Sequence, residues 1–328
     1  MLNWAIVGIG DIARKRVLAG LAAEPRSRLR AAVTTHPERA RQICAPYSVE
    51  RFYTTLEEAL ADPEVTAIYV ATPVFLHAPQ SIAAMRAGKH VLCEKPTALS
   101  FQEACHMAEV AEQCQVRYGV AFYRRFYPKI LRARQLIQQG ALGPVTLVEA
   151  AYHWWWAPEA GHERHWFVEP QKSGGGPLPD VGSHRIDVLN FLFGPPASVL
   201  AETGNQVHHY GVEDSATLLM QYASGLRAVL DVRWNSRVER DEFRIIGAEG
   251  ELELTPLNQA PMVFRSARET RSEELPPHDN LHYPMIANFV GAVLDGAELV
   301  SSGRTAMETD RVISAAFESA RTGRRVPL

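Results

Sequence analysis

The chain is poor in cysteine: Cys44, Cys93, Cys105 and Cys114 are its only four, and no two of them form a C-x-x-C pair. That scatter provides neither a zinc knuckle nor a disulfide framework, and it fits a reducing compartment. No apolar run approaches the roughly 20 residues that a membrane span needs. Charge of either sign is barely in excess: 34 basic and 37 acidic residues leave a net -3, which gives no global attraction to nucleic acid or an anionic membrane. The first residues carry no basic segment, and the apolar run after Asn3 is broken by Gly8 and Gly10, so neither signal peptide nor anchor is expected. Repeats, low-complexity runs and long linkers are also missing. The expectation is a soluble, cytoplasmic protein with a small-molecule substrate and no nucleic-acid or membrane partner. A length of 328 residues, 46% of them hydrophobic, suggests two domains with a sizeable core in each.

What is present begins with Leu2 to Val7, a near-continuous apolar run that leads at once into Gly8-Ile9-Gly10-Asp11-Ile12-Ala13. This G-x-G-x-x-A lies between an expected strand and a helix through Val17, Leu18 and Leu21. Its glycines permit a tight turn and close approach of backbone to a pyrophosphate, which the helix N-terminus favours. A second strand, Leu29 to Val33, ends in Thr34-Thr35-His36-Pro37-Glu38-Arg39. An NAD site would carry an acid near Thr34 and Thr35 to hold the ribose hydroxyls. Two hydroxyls with Arg39 and His36 nearby would instead tolerate a 2′-phosphate, which favours NADP over NAD; an ordinary helix start with a solvated Arg39 is the plainer alternative.

Strand and helix signals then alternate. Thr54-Thr55-Leu56-Glu57-Glu58 caps a helix, and Thr66 to Ala71 is a buried strand that ends in Thr72-Pro73. His77 opens a helix closed by Gly88, and His90 to Cys93 is a short interior strand followed by Glu94-Lys95-Pro96. Ser100 with Glu103 caps the next helix, and Val116 to Ala121 completes the series. Such alternation implies a doubly wound parallel sheet, with an acid and an amine at the carboxyl end of a strand, where these sheets bind ligands. From Phe122 the character changes. Strands at Val145 to Ala151, Ser215 to Tyr222, Leu226 to Val232, Glu242 to Ile246 and Glu251 to Leu254 pair through turns at 223–225 and 247–250, as antiparallel hairpins do. Helices near 281–295 and 304–322 end the chain. The expected fold is α/β: an N-terminal Rossmann domain, 1–121, and a C-terminal α+β domain, 122–328, with a large, mostly antiparallel open sheet.

A second chemical cluster runs from Ser173-Gly174-Gly175-Gly176 through Asp180 and His184 to Asp187. His184 and Asp187 would share a helix face, and a carboxylate beside an imidazole suits a general acid–base role. A capping Asp, a surface His and a flexible loop would account for the same residues.

Together, Gly8-x-Gly10-x-x-Ala13, Ala71-Thr72-Pro73 with His77, Ala87 to Pro96, Arg125 with Pro128, and the motif from Gly174 to Asp187 resemble the Gfo/Idh/MocA family, the relatives of glucose–fructose oxidoreductase and inositol dehydrogenase. The likeness covers essentially the whole chain. It implies an NAD(P)-dependent oxidoreductase acting on a hydroxyl or carbonyl carbon of a sugar, polyol or related molecule. It further implies a homodimer or homotetramer built through the C-terminal sheet. The family's catalytic set carries over to Lys95, Asp180 and His184, with His184 taking the hydroxyl proton, Lys95 steadying the alkoxide and Asp180 orienting its neighbours. Gly8, Gly10, Asp11, Ile12, Thr34, Thr35, Arg39, Thr72, Pro73, His77, Glu94 and Lys95 would hold the cofactor. Lys95, Arg125, Arg164, Trp166, Asp180 and His184 would meet the substrate. Tyr123 departs from the Asn common before the Arg pair. Trp154 to Trp156 would form either a stacking wall for a sugar or a seam between domains or subunits. His162 and His165 have no carboxylate or cysteine to complete a metal site, so no metal is expected. His208, His209, His278 and His282 read as surface or structural residues. Two rival functions remain: a glycoside hydrolase that uses NAD in a transient redox cycle, and a non-catalytic NADP-binding sensor.

Overall fold

The computed structural model describes residues 1–259 and 261–328. The chain forms two compact units: Met1–Tyr123 with His278–Met307, and Arg124–Pro277 with Glu308–Leu328.

The first unit is a six-stranded parallel sheet. Its strands are β1 (Leu2–Val7), β2 (Ser27–Val33), β3 (Arg51–Tyr53), β4 (Ala67–Val70), β5 (His90–Cys93) and β6 (Tyr118–Val120), in the order β3-β2-β1-β4-β5-β6. The intervening helices are α1 (Leu18–Ala23), α2 (Pro37–Cys44), α3 (Leu56–Ala61), α4 (His77–Arg86) and α5 (Phe101–Gln113). All four residues of β4 are fully buried, as expected of an interior strand covered on both faces. The capping boxes are legible in local chemistry: Thr55 caps α3 reciprocally with Glu58, and Ser100 accepts the Glu103 N–H at the start of α5. Strand order reverses at β1 and β4, which places the glycine turn after β1 at the crevice where such sheets bind ligands.

The reading of everything after residue 121 as one domain meets a difference here, because 278–307 packs with the first unit. Its helix α9 (Tyr283–Leu294) buries Met285, Ile286, Phe289 and Val290, and Phe289 lies 5.4 Å from the fully buried Trp4 ring. Apolar surface on β1 and α1 needs a cover, and the N-terminal strands and helices leave that place to α9.

The second unit carries α6 (Pro128–Gln138), β7 (Val145–Trp155), the short α7 (Pro170–Ser173), α8 (Ser183–Phe193) and β8 (Ser198–Gly204). Then come β9 (Ser215–Gln221), β10 (Arg227–Arg233), β11 (Asn235–Gly247), β12 (Gly250–Glu253), β13 (Met262–Ser266), β14 (Thr270–Glu273) and β15 (Val326–Pro327). These make a nine-stranded sheet, ordered β14-β13-β12-β11-β7-β10-β9-β8-β15. Among the described residues, β7 with β10 is its only parallel pairing. Alternation sets the faces: Ala216, Leu218 and Met220 of β9 and Ala228, Leu230 and Val232 of β10 are buried, while Thr217 and Val229 point to the open face. The long helix α10 (Gly303–Thr322) begins in the first unit and continues in the second.

Candidate active site

In the first unit the glycine turn is built as its motif requires. Gly8 has φ +90°, and a Cβ there would lie 2.8 Å from the Ala71 carbonyl oxygen, so only glycine lets β1 pass the end of β4. Around Gly10, by contrast, a Cβ would meet nothing within 4 Å, leaving room for a pyrophosphate against the backbone. The residues therefore fit a dinucleotide. Asp11 in the same turn bonds Arg14 at 3.0 Å and Lys15 at 2.9 Å along its own helix. Past β2, the Thr34 hydroxyl accepts the His36 N–H at 3.1 Å, and Thr35 and Arg39 are exposed. Thr72 Oγ1 donates to Gln80 at 2.7 Å. His77 is buried, with Nδ1 2.8 Å from the Pro96 carbonyl and Nε2 2.8 Å from the Thr72 carbonyl. It thereby ties the turn after β4 to the segment after β5.

Glu94 is 6% exposed, and its carboxylate accepts the Tyr69 hydroxyl at 2.8 Å and bonds His282 Nε2 at 3.1 Å. Burial alone would push this carboxyl up. The hydrogen bond and charge of His282, the Tyr69 hydroxyl and the nearby Lys95 ammonium outweigh burial and hold it below the ordinary glutamate value. His282 is fully buried and stacks on Tyr123 at 4.7 Å; among the described residues its Nδ1 has no hydrogen-bond partner. The residue read from sequence as surface or structural is thus the buried partner of the acid beside Lys95. Only folding of α9 onto the first unit brings the two together, across 188 residues.

In the second unit Asp180 sits in a wide, π-type turn over Leu178–Gly182, and His184, 5% exposed, is in the first turn of α8. The Asp180 N–H donates to the Gly176 carbonyl, and its own carbonyl accepts the Ser183 hydroxyl at 2.9 Å. Asp187 faces Arg125. That guanidinium grips it through Nε at 3.1 and 3.0 Å and Nη2 at 2.5 Å, with both side chains buried. Arg164 lies 4.5 Å from the Trp156 ring and 4.5 Å from the Phe167 ring, and Trp166 packs on Phe167 at 4.1 Å. Trp154 and Trp156 stack at 5.2 Å beside the buried Trp234, while Trp155, on the other face of β7, meets His208 at 4.5 Å and Arg237 at 3.9 Å. Among the described residues no three His, Cys, Asp or Glu side chains are placed to hold a metal ion.

Several residues of this unit went unread in the sequence. Arg185, 1% exposed, lies 4.2 Å over the Tyr152 ring and pairs with Asp241 at 2.8 Å. Lys129 places its ammonium among the carbonyls of Leu254, Pro256 and Gln259, and burial lowers its pKa to about 8. Glu213 accepts the N–H groups of Gly176 at 2.9 Å and Leu178 at 3.1 Å. Burial pushes its carboxyl up to about 7, against the pull of those two donors. A carboxylate in a strand-flanking loop gives no local sign of such a partner, so no spacing rule would have found it.

A glycine turn at the reversal of a parallel sheet, in a chain whose second unit carries a buried histidine on the helix that follows Asp180, is the build of an NAD(P)-dependent oxidoreductase. A family model described as oxidoreductase family, NAD-binding Rossmann fold, matches residues 2–122, and one for the GFO/IDH/MocA C-terminal domain matches 130–253. The chain belongs to the Gfo/Idh/MocA family of oxidoreductases, and several of its relatives are named for sugars. It is 28% identical to a 1,5-anhydro-D-fructose reductase of Ensifer adhaerens, over 100% of this chain and 99% of that one. It is also 28% identical to a D-xylose 1-dehydrogenase (NADP(+)) of Haloferax volcanii, over 100% of both. The crystal structure of an aldose-aldose oxidoreductase from Caulobacter crescentus, complexed with glycerol, superposes with a TM-score of 0.91 at 28% identity, covering 100% of this chain and 99% of that one. No helix among the described residues is long and apolar enough to cross a membrane.

Proposed function

We propose that this protein oxidises a secondary or hemiacetal hydroxyl of a sugar or polyol, or reduces the matching carbonyl, with Lys95, Asp180 and His184 as the reacting side chains. The observation that carries this reading is likeness over 100% of the chain to two relatives named for a reductase and a dehydrogenase of sugars. The cofactor, when bound, takes up or supplies the hydride. In oxidation the His184 imidazole accepts the hydroxyl proton as the C–H bond breaks, and the Lys95 ammonium stabilises the developing alkoxide. Asp180 orients the groups around the reacting oxygen. In reduction His184 returns the proton. Arg164 and Trp166 border the substrate, and Arg125 acts through Asp187 on the helix that bears His184.

The cofactor is NADP in preference to NAD. Support comes from Thr34, Thr35 and Arg39, which put hydroxyls and a cation where a ribose-binding acid would stand. The protein works as a homodimer or homotetramer joined through the open face of the nine-stranded sheet, where Val229 is 37% exposed. Light scattering behind size exclusion tests the assembly, and a monomer at working concentration overturns it. Fluorescence titration with NADPH and NADH tests the cofactor. Tighter NADPH binding is expected, followed by turnover on a sugar and polyol panel. Failure of folded, cofactor-free protein to bind either dinucleotide would sink the reading.

A further inference from the structure

We propose that Glu213 is a positioning residue that caps, from outside the helix, the glycine-rich turn bearing Asp180 and His184, and so sets the geometry of both. The inference rests on the reading of those two residues as the reacting pair. It starts from an accounting problem. The chain entering Leu178–Phe193 exposes N–H groups with no intrahelical partner. A helix start is ordinarily capped by a nearby Ser, Thr, Asp or Asn, and here there is no side-chain cap of that kind. Pro177 and Pro179 have no N–H to satisfy. The remaining donors, Gly176 and Leu178, both go to one carboxylate: Gly176 to Oε2 at 2.9 Å and Leu178 to Oε1 at 3.1 Å.

The carboxylate lies 37 residues from Gly176 in sequence, so it is a cap delivered by tertiary structure. Its backbone is equally close. A Cβ on Gly176 would fall 2.0 Å from the Glu213 carbonyl oxygen, so glycine is needed for the turn to reach its cap. The mount is firm as well. At the next residue, the Asp214 carboxylate accepts the N–H groups of Val207 at 2.8 Å and His208 at 3.2 Å and the Asn235 amide at 2.8 Å. The Asp214 carbonyl accepts the Trp234 N–H. From the capped turn the path to the reacting residues is short. Asp180 donates its N–H to Gly176, Ser183 donates its hydroxyl to Asp180, and His184 follows. A negative group at the start of a helix is also favoured by the helix dipole. Two charge-assisted bonds from one rigidly mounted carboxylate fix direction as well as distance.

The test is Glu213→Gln. A glutamine has one acceptor oxygen and turns its NH₂ toward the other N–H, so the shape survives while one bond is lost. In the variant, amide hydrogen exchange at Gly176 and Leu178 should accelerate about tenfold, while amides of β9 and β10 hold their rates. The ¹³C and ¹⁵N signals of the His184 ring, followed in histidine-labelled protein, should move with them. Faster exchange with unchanged His184 signals would make Glu213 a structural cap alone and overturn the proposal, as would unchanged exchange. Should the variant fail to fold, the native protein answers the same question. Protonation of Glu213, whose neighbouring charge is Asp214, removes one acceptor, so protection of these two amides, and with it that of the Asp180 amide, should fall together as pH falls through about 7, and protection flat across that range overturns the proposal. A wild-type protein that turns over no sugar or polyol would refute the reaction proposed above and leave these signals to decide on Glu213.

Discussion

Replacing His282 by leucine tests how the acid beside Lys95 is held in the folded chain. In the native protein the Glu94 carboxylate accepts from the Tyr69 hydroxyl, from the Lys95 backbone N–H at 3.3 Å and from His282 Nε2, with almost no solvent. His282→Leu keeps the volume roughly constant and keeps the Tyr69 and Lys95 donors, but it strips a buried carboxylate of its imidazole partner. Removing one member of a buried pair costs about 3–5 kcal/mol; with Tyr69 retained, the low end, about 3 kcal/mol at neutral pH, is expected. The pH dependence is the sharper signature. Natively the Glu94 carboxyl lies below its ordinary value of 4.5, so its contribution is present above that value and is lost as pH falls through the lowered one. Burial is the largest single influence on this carboxyl and raises it; with both His282 contributions gone, Tyr69 and Lys95 alone oppose it, and the sign is expected to reverse. The penalty is then present at neutral pH and relaxes as acid protonates Glu94. Equilibrium urea unfolding of both proteins from about pH 5 to about pH 8 measures this. A second change, Glu94→Gln, should recover at least half of the loss at neutral pH, since it removes the stranded charge. A loss below about 1 kcal/mol, or one that is flat with pH, would refute the argument.

Three further outcomes follow from the same geometry. Gly8→Ala must adopt φ +90° and place a methyl 2.8 Å from the Ala71 oxygen, so it should lose about 1–3 kcal/mol by urea unfolding and weaken NADPH binding in the fluorescence titration. Lys95→Met should lower kcat on whichever sugar or polyol the panel yields by about 100-fold or more, while the dissociation constant for NADPH moves by less than about tenfold; equal loss in both would place Lys95 in cofactor binding alone. Asp187→Asn takes the countercharge from the buried Arg125 guanidinium and should lower stability by about 3 kcal/mol, whereas Asp180→Asn should affect turnover more than thermal stability.

The parallel half was the legible half, because its signals are local. A strand covered on both faces shows as an apolar run, a capping box shows as Ser100 with Glu103, and the need for glycine at residue 8 shows in the run itself. His90 to Cys93 came out with the bounds the structure has. The antiparallel half was read in part. β9 and β10 alternate cleanly, but β8, β13 and β14 mix charged and apolar residues with little periodicity, and their pairing comes from neighbours far along the chain. β7 runs on past Ala151 through Trp154 and Trp155, into the aromatic cluster read as a stacking wall or a seam. The least legible features were charges. Arg185 with Asp241, Glu213 with the glycine turn and Glu94 with His282 are partnered across 56, 37 and 188 residues, and a solvated charge looks the same in a sequence as a buried one.

The return of 278–307 to the first unit has a consequence for synthesis. A ribosome delivers the six parallel strands early, but the residues that cover Trp4 and meet Glu94 leave it only after the whole antiparallel sheet except its last strand has been made. During that interval the nascent Rossmann half exposes the apolar flank that Phe289 will cover, and its acidic side chain awaits an imidazole. Domains ordinarily mature from the N-terminus as they emerge. Here the first to be translated must wait for residues made after nearly all of the second sheet, and a gene fragment that stops at residue 123 encodes a sheet without its lid.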